Sequence, residues 1–333
     1  MLKAVMAMVV AGLILVGCGG GDPETTASPS KRGPRELHVT LDGYEGAETL
    51  GLLMAEQRGY FADYDIFPLI TTALSPDRPV QYVVSRSVDL GVTHLPQVVM
   101  AREKGAHVVA VGSLIPRPTA SMIWLKGSKI GGIADLRGKT IAIPGAPFQK
   151  EFLGSALARA GLTLDDVKVT KVRYDMVPAL VSGRADAIFG GSSNLEGAAL
   201  ESRGLQPVIT PARDLDLPSY DELVLIARPD RLSDEPRLFR DFMAAVARGT
   251  AAAIEDPEAA ARLIGKSFEA DPNQGQKAIE AEVESTLPLL SRTGHMSPGQ
   301  AGELVDWMHE EGMIQRKPSV SELLTDDYLA KQP

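Results

Sequence analysis

From Leu37 onward, apolar and polar positions fall into short blocks whose period switches between two and about 3.6. Residues 37–41 (LHVTL) read as a strand, and 48–58 as an amphipathic helix that ends at Gly59. A strand at 65–71, a helix at 78–86, a strand at 88–92 and a helix at 95–104, stopped by Gly105, continue the alternation. Residues 107–114 are nearly all apolar, the pattern of a strand covered on both faces. A β-α-β-α-β-α-β series of this kind predicts a mainly parallel sheet flanked by helices.

Pro116-Arg117-Pro118 interrupt the pattern, and a comparable series follows. Its strands are expected at 139–143, 167–172, 186–189 and 207–210, with helices at 150–160, 177–182 and 194–203. Residues 222–227 form another apolar strand, and helices at 235–256, 257–268, 273–287 and 298–311 complete the chain. Two successive α/β units predict an α/β fold of two lobes, each a mainly parallel sheet flanked by helices. Lobe 1 is expected at 36–118 and 225–333, including the helical tail, and lobe 2 at 119–224. A double crossover hinge near 115–121 and 217–224 would leave a ligand cleft between them.

The first 35 residues stand apart. Lys3, the apolar run 4–15 and the small Gly17 precede Cys18, the one cysteine of the chain. This resembles a bacterial lipoprotein signal, with residues 1–18 as signal peptide and lipobox and Cys18 as the lipidation site. Residues 19–35 (GGGDPETTASPSKRGPR) have no apolar periodicity and read as a flexible tether. The body is therefore expected on the extracytoplasmic face of the membrane, lipid-anchored, at the cell surface or in the periplasm. A cleaved secretory signal with an incidental cysteine is the alternative.

Composition then narrows the chemistry. A 44% apolar content is enough for a core, and a net charge of −9 without any basic block argues against nucleic acid as a partner. With Cys18 lipidated, no disulfide, thiolate nucleophile or cysteine-ligated metal remains. The five histidines, His38, His94, His107, His295 and His309, show no HxH or HExxH spacing, so no metal site is expected. Neither a GxSxG elbow nor a Gly-rich phosphate loop is present. No catalytic residue and no cofactor are expected, and the chain is read as a non-enzyme.

Four segments carry a sharper resemblance: LDGYEGAETLGLLMAEQRGYFADY (41–64), SRSVDLGVTHLPQVVMAREKG (85–105), SKIGGIADLRGKTIAIPG (128–145) and GRADAIFGGSSNLEGAAL (183–200). They resemble the substrate-binding proteins of ABC importers for thiamine pyrimidine precursors, alkanesulfonates and nitrate, the thiamine-precursor branch most of all. The resemblance implies a periplasmic-binding-protein fold (type II-like). It also implies a monomer that captures a small-molecule solute and hands it to an ABC permease and its ATPase. Riboflavin-type or alkanesulfonate/nitrate-type solutes are the alternatives, and a pyrimidine-synthase-like enzyme a more distant one. In the thiamine-precursor branch an aromatic residue precedes the asparagine of the last segment. Here that position is Ser193, a departure that would remove one stacking face from a pyrimidine.

In parallel α/β sheets, ligands collect beyond the carboxyl ends of strands, beside helix N-termini. Four such points present candidate ligand-binding residues: Asp42, Tyr44 and Glu45; Thr93 and His94; Pro144, Gly145, Phe148 and Gln149; and Ser192, Asn194 and Glu196. Each has a plainer alternative. Tyr44 could cap the sheet instead of stacking on a ring. Asp42 and Glu45 could be capping or solvated acids, His94 could cap its helix, and Glu196 could complement the helix dipole. Asp221 and Glu222 read as polar hinge groups without ligand contact, and Trp124 and Trp307 as packing residues. Carboxylates suit amino and ring N–H donors better than anions, which Arg, Lys or backbone amides bind.

Overall fold

The structure is a computed structural model that describes residue 33 and residues 35–43, 45–267 and 275–330. The signal-like run, Cys18 and Tyr44 lie outside the described residues. The described residues from 35 onward belong to one compact unit.

Ten strands make two five-stranded sheets. The first contains β1 (Arg35–Leu41), β2 (Ile66–Thr72), β3 (Leu90–Thr93), β4 (Val109–Ile115) and β10 (Leu223–Ala227), in the order β2-β1-β3-β10-β4. The second contains β5 (Ala120–Leu125), β6 (Thr140–Ile143), β7 (Lys168–Lys171), β8 (Ala187–Ser192) and β9 (Pro207–Pro211), in the order β7-β6-β8-β5-β9. Pairing is parallel in β1–β2, β1–β3, β6–β7 and β6–β8, and antiparallel wherever β10 or β5 takes part. Two of the four pairings in each sheet are thus antiparallel, more than a mainly parallel sheet would have, and they have one cause. β5 and β10 are the first strands after each passage between the sheets, so they start where the parallel strands end. The entire β10 strand (LVLIA) is buried, as its apolar run requires.

Helices α1 (Leu50–Gln57), α2 (Arg78–Val84) and α3 (Leu95–Glu103) follow the first strands, and α4 (Gln149–Ala158), α5 (Met176–Val181) and α6 (Ala198–Ser202) those of the second sheet. The tail comprises α7 (Pro229–Asp234), α8 (Pro236–Glu255), α9 (Pro257–Ser267), α10 (Gln276–Thr286), α11 (Pro298–Glu310) and α12 (Val320–Leu323). α8 crosses α1 with their backbones in contact. A Cβ at Gly249 would collide with the Gly51 carbonyl and the Ala55 amide, so only glycine fits there. The tail reaches both sheets' elements: α10 lies against α6, and Trp307 of α11 packs edge-on against Phe152 of α4 at 4.8 Å. One apolar cluster thus runs from α3 and β4 through Phe148, Phe152 and Tyr220 to the second sheet.

Three elements beside the cavity differ from the sequence expectation. β5 replaces what read as the end of a crossover, because a short apolar run beside prolines does not declare its geometry. The helix expected at 194–203 opens as a single π turn, Ser193–Gly197, before α6. The helix expected from Glu48 begins at Leu50, and Glu48 lies in a separate 3₁₀ turn, Ala47–Thr49.

Candidate functional site

The carboxyl ends of β1, β3, β6 and β8 and the starts of β5 and β10 converge on one cavity between the sheets. Its polar centre is His94, at the end of β3. The ring does not cap α3, the alternative role considered for it. Instead Nε2 lies 2.9 Å from Asp42 Oδ2, and Nδ1 lies 2.8 Å from Glu222 Oε1 and 2.8 Å from the Glu222 carbonyl. Burial alone would lower the imidazole pKa. The hydrogen bonds and charges of Asp42 and Glu222 outweigh it and hold His94 well above its ordinary value, as an imidazolium between two carboxylates. Glu222 Oε2 accepts from the amides of Thr119 at 3.0 Å and Ala120 at 3.4 Å. One side chain therefore ties together the two passages between the sheets. Asp42 Oδ1 is buried and has no hydrogen-bond partner.

A second network starts at Asn194, whose Nδ2 donates to Glu48 Oε1 at 3.2 Å and to Thr286 Oγ1 of α10 at 2.9 Å. Burial pushes the Glu48 carboxyl up to about 8, against the opposing effect of the Asn194 hydrogen bond and with a further upward push from Glu222. Burial also raises Glu196, opposed by the Ser192 amide that donates to its Oε2 at 2.7 Å. Gln149 Oε1 accepts from the Gly145 and Ala146 amides, both at 2.8 Å, and fixes the loop after β6. Phe148 sets its ring 5.6 Å from that of His94.

Of the sequence candidates, Asp42, His94, Pro144, Phe148, Gln149, Ser192 and Glu196 line the cavity. Glu45, Thr93, Gly145 and Asn194 do not. Thr93 is buried within β3, Gly145 acts through its amide, and Asn194 stands behind Glu48 as its support. Asp42 and Glu196 do not offer both oxygens: one of each is committed, to His94 and to the Ser192 amide. Glu222, read as a hinge group, lines the cavity, as do Glu48 and Tyr174, which sequence reasoning missed. Glu48 was hidden as the expected first residue of a helix. Tyr174 carried no signal beyond lying in a loop after a strand; a Cβ at Gly43 would sit 2.9 Å from its ring. Ser193 is exposed and lies off the cavity, so the absence of an aromatic there leaves the lining unaltered. Aromatic faces come instead from Phe148, Phe152, Phe189, Tyr174 and Tyr220.

Among the described residues no group of three or more His, Cys, Asp or Glu is placed to hold a metal ion, and no helix is long and apolar enough to cross a membrane.

Two sheets with a lined cavity between them are the fold of periplasmic binding proteins. The structure is similar to the periplasmic aliphatic sulphonate binding protein SsuA from Escherichia coli, with a TM-score of 0.70 at 18% identity over 89% of this chain and 99% of that one. The chain belongs to the NMT1/THI5-like family, which matches residues 47–260. It is 27% identical over 323 residues to a formylaminopyrimidine-binding protein of Halalkalibacterium halodurans, covering 96% of each chain. It is also 27% identical over 258 residues to a 4-amino-5-hydroxymethyl-2-methylpyrimidine phosphate synthase of Legionella pneumophila, covering 77% of this chain and 80% of that one.

Proposed function

We propose that the protein is an extracytoplasmic solute-binding lipoprotein of an ABC importer. It captures a small heterocycle of the thiamine pyrimidine precursor type in the cavity and delivers it to the permease. The observation that carries this reading is the carboxyl-rich lining of the cavity: Asp42, Glu48, Glu196 and Glu222 all line it. Against them stand only His94, already shared by two of the acids, and Arg173, which is exposed. Such a lining repels nitrate or a sulfonate and suits amino and amide N–H groups. The formylaminopyrimidine-binding relative, similar over nearly its whole length, supports the same solute class.

The protein is not an enzyme in this reading. The sole cysteine, Cys18, precedes the described residues, and the sole cavity histidine is held as a charged structural centre. Residues 36–118 with 225–333 and residues 119–224 act as two lobes that close on the solute.

Calorimetry with a formylaminopyrimidine, riboflavin and taurine tests the solute. The pyrimidine should bind tightest, and Glu196→Gln should weaken it about tenfold to a hundredfold, the loss of one hydrogen bond to a charged acceptor. Tight taurine or nitrate binding, indifferent to that change, would return the chain to an anion-binding role. For the anchor, Cys18→Ser should release the protein from the membrane fraction with its affinity intact; retention of the variant would refute lipidation.

A further inference from the structure

Among the described residues Glu48 is the one cavity acid with neither an ion pair nor a backbone-amide hydrogen bond. Its hydrogen-bond partner is the neutral Asn194 amide, which donates to Oε1, and His94 acts on it only as a nearby charge. That amide is immobilised from behind by Thr286, whose hydroxyl in turn donates to the Glu282 carbonyl at 2.7 Å. The surroundings are mostly acidic: Asp42 after β1, Glu222 before β10 and Glu196 in the π turn before α6. Glu282 of α10 accepts from the neighbouring Ala47 amide at 3.2 Å. The positive groups are His94 before α3, committed to Asp42 and Glu222, and Arg173 after β7, beside Tyr174.

We propose that Glu48 carries a proton at neutral pH and recognises the solute as a hydrogen-bond donor, so that the solute must present an unprotonated ring nitrogen next to an amino group. This rests on the reading of the cavity as a heterocycle site and names the atoms that such a heterocycle must offer. A carboxylate only accepts hydrogen bonds, whereas a carboxylic acid donates from one oxygen and accepts at the other. An aminopyrimidine edge, a lone pair beside an N–H, meets the neutral acid at both points. Asn194 fixes which oxygen does which: Oε1 accepts, and the proton resides on Oε2, free to point at the ring nitrogen. Burial, with the nearby Glu222 and Glu196, outweighs the Asn194 hydrogen bond and the His94 charge, places the group at about 8 and supports this protonation state.

The sign follows directly. Below about pH 8 the acid is neutral and donates; as pH rises through that value the donor is lost and another negative charge joins Asp42, Glu196 and Glu222. If only the protonated form binds, affinity for a formylaminopyrimidine should fall about tenfold between pH 7 and pH 9. Glu48→Gln keeps a donor and an acceptor but cannot ionise. It should bind about tenfold tighter than Glu48→Ala at pH 7 and lose the pH dependence. A wild-type affinity that stays flat across this range, or equal losses in the Gln and Ala variants, would overturn the proposal.

Infrared difference spectra of the apo protein, wild type against Glu48→Gln, read the proton without any solute. A protonated carboxyl band at pH 7 that disappears by pH 9.5 is expected, and its absence would overturn the proposal. If the band is present and no pyrimidine binds, the protonated Glu48 stands while the proposed solute class fails.

Discussion

The two walls of the cavity are polar in different ways. On the first-sheet side, Asp42 and His94, each past a strand end, meet Glu222 at a strand start, and the bonds between His94 and Glu222 span 128 residues of sequence. The bond from Thr119 to Glu222 spans 103. On the second-sheet side the bonds that shape the cavity loops are local, and the long-range ones there are those of Ser192 to Thr119 and of Asn194 to Glu48 and Thr286. Gln149 accepts from amides three and four residues earlier, and Glu196 from one four residues earlier. A local bond forms with its own turn and shapes the backbone wherever that turn sits. A long-range bond exists only once both sheets are in place, and it links the integrity of the cavity to the whole fold. The first wall is therefore where charge is held, and the second is a backbone cradle lined with aromatic rings.

That contrast is most exposed to test at His94. Its removal leaves Asp42 and Glu222 facing each other, buried and unpaired, and breaking a buried ion pair from one side costs about 3–5 kcal/mol. His94→Ala should lower stability by that order in denaturant unfolding. It should also weaken solute binding strongly, because Asp42 and Glu222 lose the cation that holds them in place at the cavity centre. The folded-state pKa of His94 is raised, so its stabilising contribution is complete below the ordinary imidazole value and fades as pH climbs through the raised one. The variant should lose that pH slope. A loss below about 1 kcal/mol, the range of an exposed pair, would show the first wall to be no more tightly coupled than the second.

The same contrast explains what the sequence revealed. The succession of strands and helices within each βα series, the buried β10 run and the loops after β1, β3, β6 and β8 were legible, because period and turn residues are local signals. Asp42, His94, Gln149 and Glu196 could be named as cavity residues because each sits just past the carboxyl end of a strand. Glu222 was not legible as a cavity residue. It lies at the start of an antiparallel strand, and only the reversal of β10 turns that start toward the cavity. Glu48 and Asn194 exchanged their expected standing for a related reason. The π turn at Ser193–Gly197 buries Asn194 behind Glu48, and π turns have no simple periodic signature. The Gly249 crossing of α1 and α8 was also silent, since a glycine inside a helix names no partner.

The second wall is tested at Gly190, whose φ of +82° suits glycine alone. A Cβ there would also lie 3.1 Å from Gln149 Nε2, and Gln149 is fixed by the two amides it accepts. Gly190→Ala should cost about 1–3 kcal/mol by forcing a left-handed conformation on an L-residue. The effect should be smaller than that of His94→Ala, and no pH slope should change. If Gly190→Ala equals or exceeds the histidine variant, the backbone cradle, and not the charged centre, is the more tightly coupled wall.

The smallest effect is expected at Ser193, where likeness to the thiamine-precursor branch suggested a missing stacking face. The side chain is exposed and outside the cavity, while Phe148, Phe152 and Phe189 already supply aromatic surface within it. Ser193→Phe should leave stability within about 0.5 kcal/mol, as for an exposed substitution away from special features. It should change the Kd for a formylaminopyrimidine less than about threefold, far below the loss of a charged hydrogen bond. A tenfold gain in affinity would mean that the π turn rotates Ser193 into the cavity when solute binds. The second wall would then be the adaptable one, and the first a fixed charged template.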